Sequence, residues 1–219
     1  MEGEAGRVAA ELERRIVSGE ARSGSLLNQS KIASELGVSR VTVRDALQEL
    51  ASTGLVVLSG RAGASVAPMS IADLEEIFEL RYNLEPLAAR LGTPNLQRSD
   101  LVRMEHALAA MDETENEVEW VTHNATFHTI IYLRARRPRL VALVRTLRVL
   151  MDRYFAYALS TTISRSPTVA DEHREILDAA RRRDGALVAR LTADHIAGSH
   201  DVLVRMLLEQ AESSDMELI

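Results

Sequence analysis

The spacing of apolar residues predicts two short helices that meet at a glycine between residues 27 and 46. One face of the first helix is apolar and is formed by Ile32, Ala33 and Leu36. Asn28 is placed to cap the start of this helix, and Gly37 can adopt the left-handed backbone conformation that ends it. The pattern therefore predicts two helices joined by a tight turn.

The second predicted helix has one apolar face and one polar, basic face. Ser39 is placed to cap it, and its apolar residues follow the spacing i, i+3, i+4 and i+7 at Val43, Ala46, Leu47 and Leu50. The opposite face carries Arg40, Arg44 and Gln48. Such a helix packs through one side and presents arginines on the other, as a helix that enters the major groove of DNA does.

After Gly54 the pattern changes to two short segments, residues 55–59 and 64–67, separated by the sequence GRAG at 60–63. Apolar segments joined by glycines predict a β-hairpin. A helix-turn-helix followed by a hairpin predicts a winged helix-turn-helix domain over residues 1–68. An ordinary helical hairpin with solvated arginines is the alternative, but the cap, glycine, arginine face and hairpin all agree in one register.

Residues 69–219 show helical periodicity throughout and predict an all-helical bundle, so the fold class is mainly α. The predicted helices are 71–92, 98–113, 117–134, 138–160, 167–183 and 185–212, with glycine or proline at several of the breaks. Pro86 lies inside the first stretch and is expected to kink or interrupt that helix.

Charge and composition refine this two-domain interpretation. The net charge is −6, but residues 1–68 contain eight basic and eight acidic residues, so the other 18 basic and 24 acidic residues place the whole deficit in the second domain. A neutral domain binds DNA if its arginines share one face. The absence of cysteine excludes disulfides and thiolate metal ligands. No apolar run reaches the length of a membrane span, and a cytoplasmic protein is expected.

Four polar residues fall on the apolar stripes of the predicted bundle helices, and these are Asn124, His128, His173 and His195. Asn124 and His128 are four residues apart and share one helical face, while the other two histidines come from two further helices. Imidazole nitrogens with one oxygen ligand suit Zn²⁺, Ni²⁺, Mn²⁺ or Fe²⁺. The sequence therefore predicts a divalent metal site, and the alternative is that each histidine is a hydrogen-bonded core residue.

Arg81 also lies on an apolar stripe, in the first bundle helix. A buried guanidinium needs an anion, which is either the internal carboxylate of Glu85 or the carboxylate of a small effector held by two parallel hydrogen bonds. Arg153, Tyr154 and Tyr157 on the fourth bundle helix are further candidates for effector contacts.

The sequence LGVSRVTVRDALQELASTGLV, followed by GRAGASV, resembles the DNA-binding domain of the GntR transcriptional regulators. The resemblance implies that operator DNA is contacted by Arg40, Val41 and Arg44 of the recognition helix and by Arg61 and Gly63 of the wing. Members of the family commonly have Thr-Pro where this chain has Val-Thr at 41–42, so the resemblance does not imply which half-site is read.

In the second domain, N-x-x-x-H, DEHREILDAA and ADHI resemble the FCD effector domain of the FadR-type branch of that family. The resemblance implies a metal held by Asn124, His128, His173 and His195, and an effector role for Arg81. The first ligand is often Asp in this branch, and Asn124 lacks its charge. The resemblance also implies a homodimer, a repressor function and a small organic acid as the effector.

Two other functions remain open from the sequence. Three histidines around an open site also describe a metalloenzyme with a DNA-binding appendage, although no inward carboxylate is well placed as a general base. Asp171, Glu172 and Asp194 are, however, close to the proposed ligands in sequence. The other alternative is a regulator that binds an acyl-CoA-like ligand without metal, against which the inward histidines argue. A regulator without enzymatic activity is the favoured interpretation.

Overall fold

The computed structural model describes residues 3–59, 63–159 and 167–214. The chain divides into two compact units, Met1–Ser70 and Ile71–Ile219. The mainly helical fold class and the winged helix-turn-helix architecture predicted from the sequence are confirmed. Among the described residues, no helix combines the length and apolar character needed to cross a lipid bilayer.

The first unit consists of helices around a small antiparallel sheet. Its elements are α1 (Glu4–Val17), β1 (Leu26–Leu27), α2 (Gln29–Leu36), α3 (Arg40–Ser52), β2 (Val56–Ser59) and β3 (Gly63–Val66). The strand order is β1-β3-β2, so the predicted hairpin is completed by a strand of only two residues, too short for its alternation to be recognised. The core of this unit includes Leu12, Val43, Leu47 and Leu55.

The predicted helix caps in the first unit are present. Asn28 Oδ1 accepts hydrogen bonds from the backbone amides of Ser30 and Lys31, which starts α2. Gly37 has a φ of 67°, the left-handed conformation that glycine adopts without steric cost. Ser39 Oγ accepts from the amide of Thr42 and starts α3. Local chemistry therefore fixes the angle between α2 and α3.

The second unit is a helical bundle. Its elements are α4 (Ile71–Gly92), a 3₁₀ turn (Thr93–Asn95), α5 (Arg98–Glu113), α6 (Glu117–Leu133), α7 (Pro138–Leu159), α8 (Pro167–Arg181) and α9 (Gly185–Ser214). These bounds agree with the predicted ones to within two residues. Helix α4 continues through Pro86, so the helix is not interrupted there as the sequence had allowed.

Close approach of α4 and α6 depends on Gly92. A Cβ atom at this position would clash with the backbone carbonyl oxygen of Ile131 on α6. Helices α4 and α6 therefore pack with little space between their backbones at this point. Around them lies an apolar core that includes Met104, Phe127 and Ile176, and the buried polar residues of the second unit lie within the same bundle.

Candidate nucleic-acid interface and metal centre

Helix α3 presents the predicted DNA-contacting residues to solvent. Arg40, Val41 and Arg44 are all exposed, and Val41 retains 55% of its accessible surface. The opposite face of α3 is buried, as the apolar spacing predicted. Gly63 has a φ of 94° at the start of β3, whereas Arg61 lies outside the described residues.

The Val-Thr departure at 41–42 has a structural role. The backbone amide of Thr42 donates to Ser39 Oγ at 3.1 Å, a hydrogen bond that a proline at this position cannot make. Thr42 Oγ1 also donates to Glu4 Oε2 at 3.0 Å, which connects the start of α3 to α1. Thr42 thus stabilises the start of α3, and Val41 presents an apolar side chain able to contact a thymine methyl group.

Three histidines from three helices converge in the core of the second unit. His128 comes from α6, His173 from α8 and His195 from α9, and one ring nitrogen of each lies within 4.8 Å of the others. The exposed fractions are 1%, 1% and 7%, respectively. Asn124 is buried one turn before His128, and its Oδ1 lies 2.9 Å from His173 Nε2. The structure thus brings together all four residues that the sequence identified as candidate ligands.

Hydrogen bonding fixes the tautomer of His173. Its Nδ1 lies 2.8 Å from the backbone carbonyl oxygen of Val169, and a carbonyl oxygen only accepts, so Nδ1 carries the proton. In the neutral ring, Nε2 then carries a lone pair. That nitrogen lies 3.2 Å from His128 Nε2 and next to the oxygen of Asn124. Several acceptor atoms therefore face a common point.

The environment keeps two of the histidines neutral. Burial lowers the pKa of His128 well below its usual value, and the nearby Arg148 guanidinium lowers it further. Burial, assisted by the neighbouring His195, lowers the pKa of His173 to about 3. Neutral imidazole is the form that binds a metal ion, because a protonated ring has no lone pair to donate.

A second polar cluster surrounds the buried carboxylate of Glu85 on α4. Arg81 Nε donates to Glu85 Oε1 at 2.5 Å, and Arg148 Nη1 from α7 donates to Oε2 at 3.1 Å. The Tyr132 hydroxyl from α6 donates to the same Oε2 at 2.7 Å. Burial opposes ionisation of this carboxyl, but the positive charges of Arg81 and Arg148 outweigh burial and hold its pKa at about 2. We call Arg81, Glu85, Tyr132 and Arg148 the Glu85 cluster.

The Glu85 cluster has more donors than acceptors. Arg81 Nη1 and Arg148 Nε are buried and have no hydrogen-bond partner among the described residues. An unsatisfied buried N–H group costs on the order of 1–3 kcal/mol. Arg148 Nη2 also lies 3.5 Å from the backbone oxygen of Asn124, so this cluster adjoins the histidines. Two guanidinium groups that share one carboxylate give this cluster a net positive charge and two unpaired donors among the described residues.

The remaining predicted effector contacts are placed differently. Arg153 Nη2 lies 3.0 Å from Asp73 Oδ2, and the Tyr154 hydroxyl donates to the same oxygen at 2.6 Å. Both side chains therefore contact Asp73 of α4. Tyr157 is partly buried, and burial raises the pKa of its phenol. For Arg81, the internal partner that the sequence left open, Glu85, is the one present.

Arg148, Tyr132 and Glu172 were not assigned a role by sequence reasoning. Arg148 interrupts the apolar spacing of Val144 and Met151 on α7, the same signal that identified Arg81, so it could have been found. Tyr132 follows His128 by one turn and looks like an ordinary core residue. Glu172 lies beside His173 on a half-exposed position, and no pattern in the sequence distinguishes it from other surface carboxylates.

Sequence profiles of two domains match this chain. The profile described as "Bacterial regulatory proteins, gntR family" matches residues 4–66, and the FCD domain matches residues 76–198. The second match alone covers more than half of the chain. Its limits include all four candidate ligands and the Glu85 cluster, while the first match includes the exposed face of α3.

Known proteins of similar sequence are regulators of transcription. The uncharacterized HTH-type transcriptional regulator YdhC of Bacillus subtilis is 26% identical over 211 residues, which cover 93% of this chain and 92% of YdhC. The gluconate operon transcriptional repressor of Bacillus licheniformis is 26% identical over 84% of this chain and 78% of the repressor. Among solved structures, Escherichia coli McbR/YncC is similar with a TM-score of 0.84 at 23% identity, covering 94% and 100% of the two chains, and it shows the same fold.

Proposed function

This chain belongs to the gntR family of bacterial transcriptional regulators and carries an FCD domain, and we propose that it is a dimeric repressor controlled by metal and by a small carboxylate. Members of the family bind operator DNA and are regulators, not enzymes. In this proposal each protomer inserts α3 into the major groove of one half-site, so a twofold dimer reads a near-palindromic operator in the cytoplasm. Arg40, Val41, Arg44, Arg61 and Gly63 form the DNA-contacting set.

Metal binding is supported by hydrogen-bond acceptor atoms that face one another in a buried site. His173 Nε2 has a lone pair and points at both His128 Nε2 and Asn124 Oδ1. A proton on His128 Nε2 would relieve the contact between the two rings, but Asn124 Oδ1 would still face the lone pair of His173 Nε2. A divalent cation satisfies these acceptors together, with Asn124, His128, His173 and His195 as ligands. Zn²⁺, Ni²⁺, Mn²⁺ and Fe²⁺ all accept such a set.

The bound metal would supply positive charge and open coordination positions for an oxygen anion. Arg81 and Arg148 offer unsatisfied donors beside it, and a planar guanidinium binds a carboxylate through parallel hydrogen bonds. The effector we propose is therefore a small organic acid held by these two arginines, with Arg153 and Tyr157 as contacts further along α7. Gluconate is a reasonable first compound to test, because one relative is named as the repressor of a gluconate operon.

Effector binding controls transcription only if it favours one arrangement of the protein over another. The Glu85 cluster joins α4, α6 and α7, so an anion that binds Arg81 or Arg148 changes contacts on all three helices. A ligand that stabilises one packing of these helices shifts the population of DNA-binding forms by its differential affinity. We propose this shift as the route from the effector site to α3.

The test combines metal analysis with operator binding. Protein purified without chelator is expected to contain about one equivalent of divalent metal per chain, and the His173→Ala variant is expected to lose it. His106→Ala is the matched control, because His106 is exposed on α5. Operator affinity is then measured by fluorescence anisotropy with and without candidate acids. Wild-type metal content in His173→Ala would contradict the ligand assignment, and an operator affinity that no carboxylate changes would contradict the effector proposal.

A further inference from the structure

The three candidate histidine ligands differ in what holds their second ring nitrogen. His173 Nδ1 donates to the backbone oxygen of Val169 at 2.8 Å. His128 Nδ1 has no partner among the described residues. His195 Nδ1 lies 2.6 Å from Glu172 Oε2, the shortest of these contacts. Only His195 is oriented by a carboxylate, and Glu172 has no other assigned function.

The position of Glu172 suits a role at the centre rather than at the surface. Glu172 directly precedes His173 on α8. This helix therefore supplies one candidate ligand, His173, and also the carboxylate that contacts His195, the candidate ligand on α9. The side chain of Glu172 keeps 32% of its surface exposed, whereas that of His195 keeps 8%. A Cβ at Gly198, one turn after His195, would lie 3.7 Å from Glu172 Oε1, so the carboxylate lies directly against α9.

A carboxylate that accepts from imidazole Nδ1–H fixes both the tautomer and the ring orientation. The lone pair then resides on Nε2, and the partial negative charge transferred to the ring makes Nε2 a better donor to a cation. Because Glu172 contacts Nδ1 of His195, Nε2 is the nitrogen of this ring that remains available to bind an ion together with the other candidate ligands. The same interaction connects α8 to α9 next to the three histidines.

We propose that Glu172 is a positioning residue for the metal centre, which acts by holding His195 in the tautomer and orientation that present Nε2 to the ion. This inference rests on the metal binding proposed above. The competing explanation is an ordinary ion pair between α8 and α9 that stabilises the bundle with no influence on a metal. The two explanations differ in what happens to the metal-free protein and to the coordination geometry.

The test uses full-length protein stripped of metal and titrated with Co²⁺, whose visible absorption reports ligand geometry. Glu172→Ala removes the acceptor, while Glu172→Gln keeps an accepting oxygen at the same reach. Glu175→Ala and Glu175→Gln are the matched controls, because Glu175 is exposed on the same helix. We expect Glu172→Ala to weaken Co²⁺ binding about 10–100-fold and to change the spectrum. We expect Glu172→Gln to keep the wild-type spectrum with a smaller loss, and both Glu175 variants to match wild type.

Each outcome decides between the explanations. Wild-type affinity and spectrum in Glu172→Ala would overturn the positioning role while leaving the metal proposal intact. Equal losses in the Ala and Gln variants, with a matching fall in the melting temperature of the metal-free protein, would also overturn it and support the ordinary ion pair. No Co²⁺ binding by the wild-type protein would overturn the metal proposal and this inference together.

Discussion

The two units place their functional side chains in opposite environments. In the first unit, Arg40 and Arg44 lie on the exposed face of a single helix and need only that helix to be in the right place. In the second unit, the candidate ligands and the Glu85 cluster are buried and come from α4, α6, α7, α8 and α9. Substitutions of Arg40 and Arg44 should therefore change DNA binding alone, whereas substitutions of the candidate ligands or of the Glu85 cluster should change both binding and stability.

The largest effect is expected from Glu85→Ala. This change removes the carboxylate that accepts hydrogen bonds from both Arg81 and Arg148 and leaves two buried positive charges close together. Breaking a buried ion pair in this way costs about 3–5 kcal/mol. Urea unfolding followed by circular dichroism measures the loss, with Glu76→Ala on the exposed face of α4 as the control. An equal stability for the two variants would mean that the cluster contributes nothing to the fold.

Metal binding should give the next largest effect on stability. A ligand that binds only the folded protein stabilises it by about 2.7 kcal/mol at a concentration 100 times its Kd. The melting temperature of wild-type protein should therefore rise when Zn²⁺ is added after chelation and fall when chelator returns. His195→Ala should abolish the rise. A metal-dependent rise that persists in this variant would remove His195 from the ligand set.

Arg44→Ala is expected to lower operator affinity without changing stability. A base contact by arginine contributes about 1–3 kcal/mol, which corresponds to roughly 5–150-fold in Kd. Anisotropy titrations at fixed salt measure the change, with the exposed Arg98 on α5 substituted by Ala as the control. The melting temperature of Arg44→Ala should equal that of wild type. Sequence-specific binding at full affinity would contradict the assignment of the recognition face.

The charge of Glu85 should also give the second unit a distinctive dependence on pH. The pKa of Glu85 is about 2 in the folded protein, and its reference value is 4.5, so the stabilisation is complete above pH 4.5 and is lost as the pH falls towards 2. The stability difference between wild type and Glu85→Gln should shrink by at most about 1.4 kcal/mol per pH unit across that window. A difference that is constant with pH would show that the pKa of Glu85 is the same in the folded and unfolded protein, and so would contradict the lowered pKa.

The smallest effect is expected from Arg174→Ala, which tests whether charge or burial matters. Arg174 pairs with Asp112 and Asp171 at 2.9 Å, but its side chain is half exposed. Such surface pairs contribute little to stability, because solvent screens the charges and ordering two long side chains costs entropy. The decrease in the free energy of unfolding of Arg174→Ala, measured by urea unfolding, should thus be far smaller than that of Glu85→Ala. Comparable losses would contradict the contrast between buried and exposed charges.

Much of the fold could be predicted because the signals are local. Asn28, Gly37 and Ser39 define the turn between α2 and α3 through their own backbone and side-chain chemistry, and each has the predicted conformation or cap. The bundle helices follow from periodicity between glycine and proline breaks. Strand β1 was missed because it has two residues and depends on β3 for its hydrogen bonds.

The candidate site could be predicted only in part. Polar residues on apolar stripes identified Asn124, His128, His173 and His195, because a polar side chain facing a core needs a partner. The same rule applies to Arg148, which lies on a mixed arginine-rich helix. It fails for Glu172, since a half-exposed carboxylate on a surface helix has no unusual sequence environment, and its contact with His195 exists only between two packed helices.

The sequence by itself determined the recognition helix α3, its caps and its arginine face, and it also determined that the histidines point inward. These features depend on residues within a few turns of one another. Only the tertiary structure decided that Glu85 pairs with Arg81, that Arg148 and Tyr132 also contact Glu85, and that Glu172 contacts His195. Except for the Arg81–Glu85 pair, which lies within α4, these contacts link residues from different helices. Helical periodicity specifies which face of a helix is buried, but the partner that each buried polar group meets is set by how the helices pack.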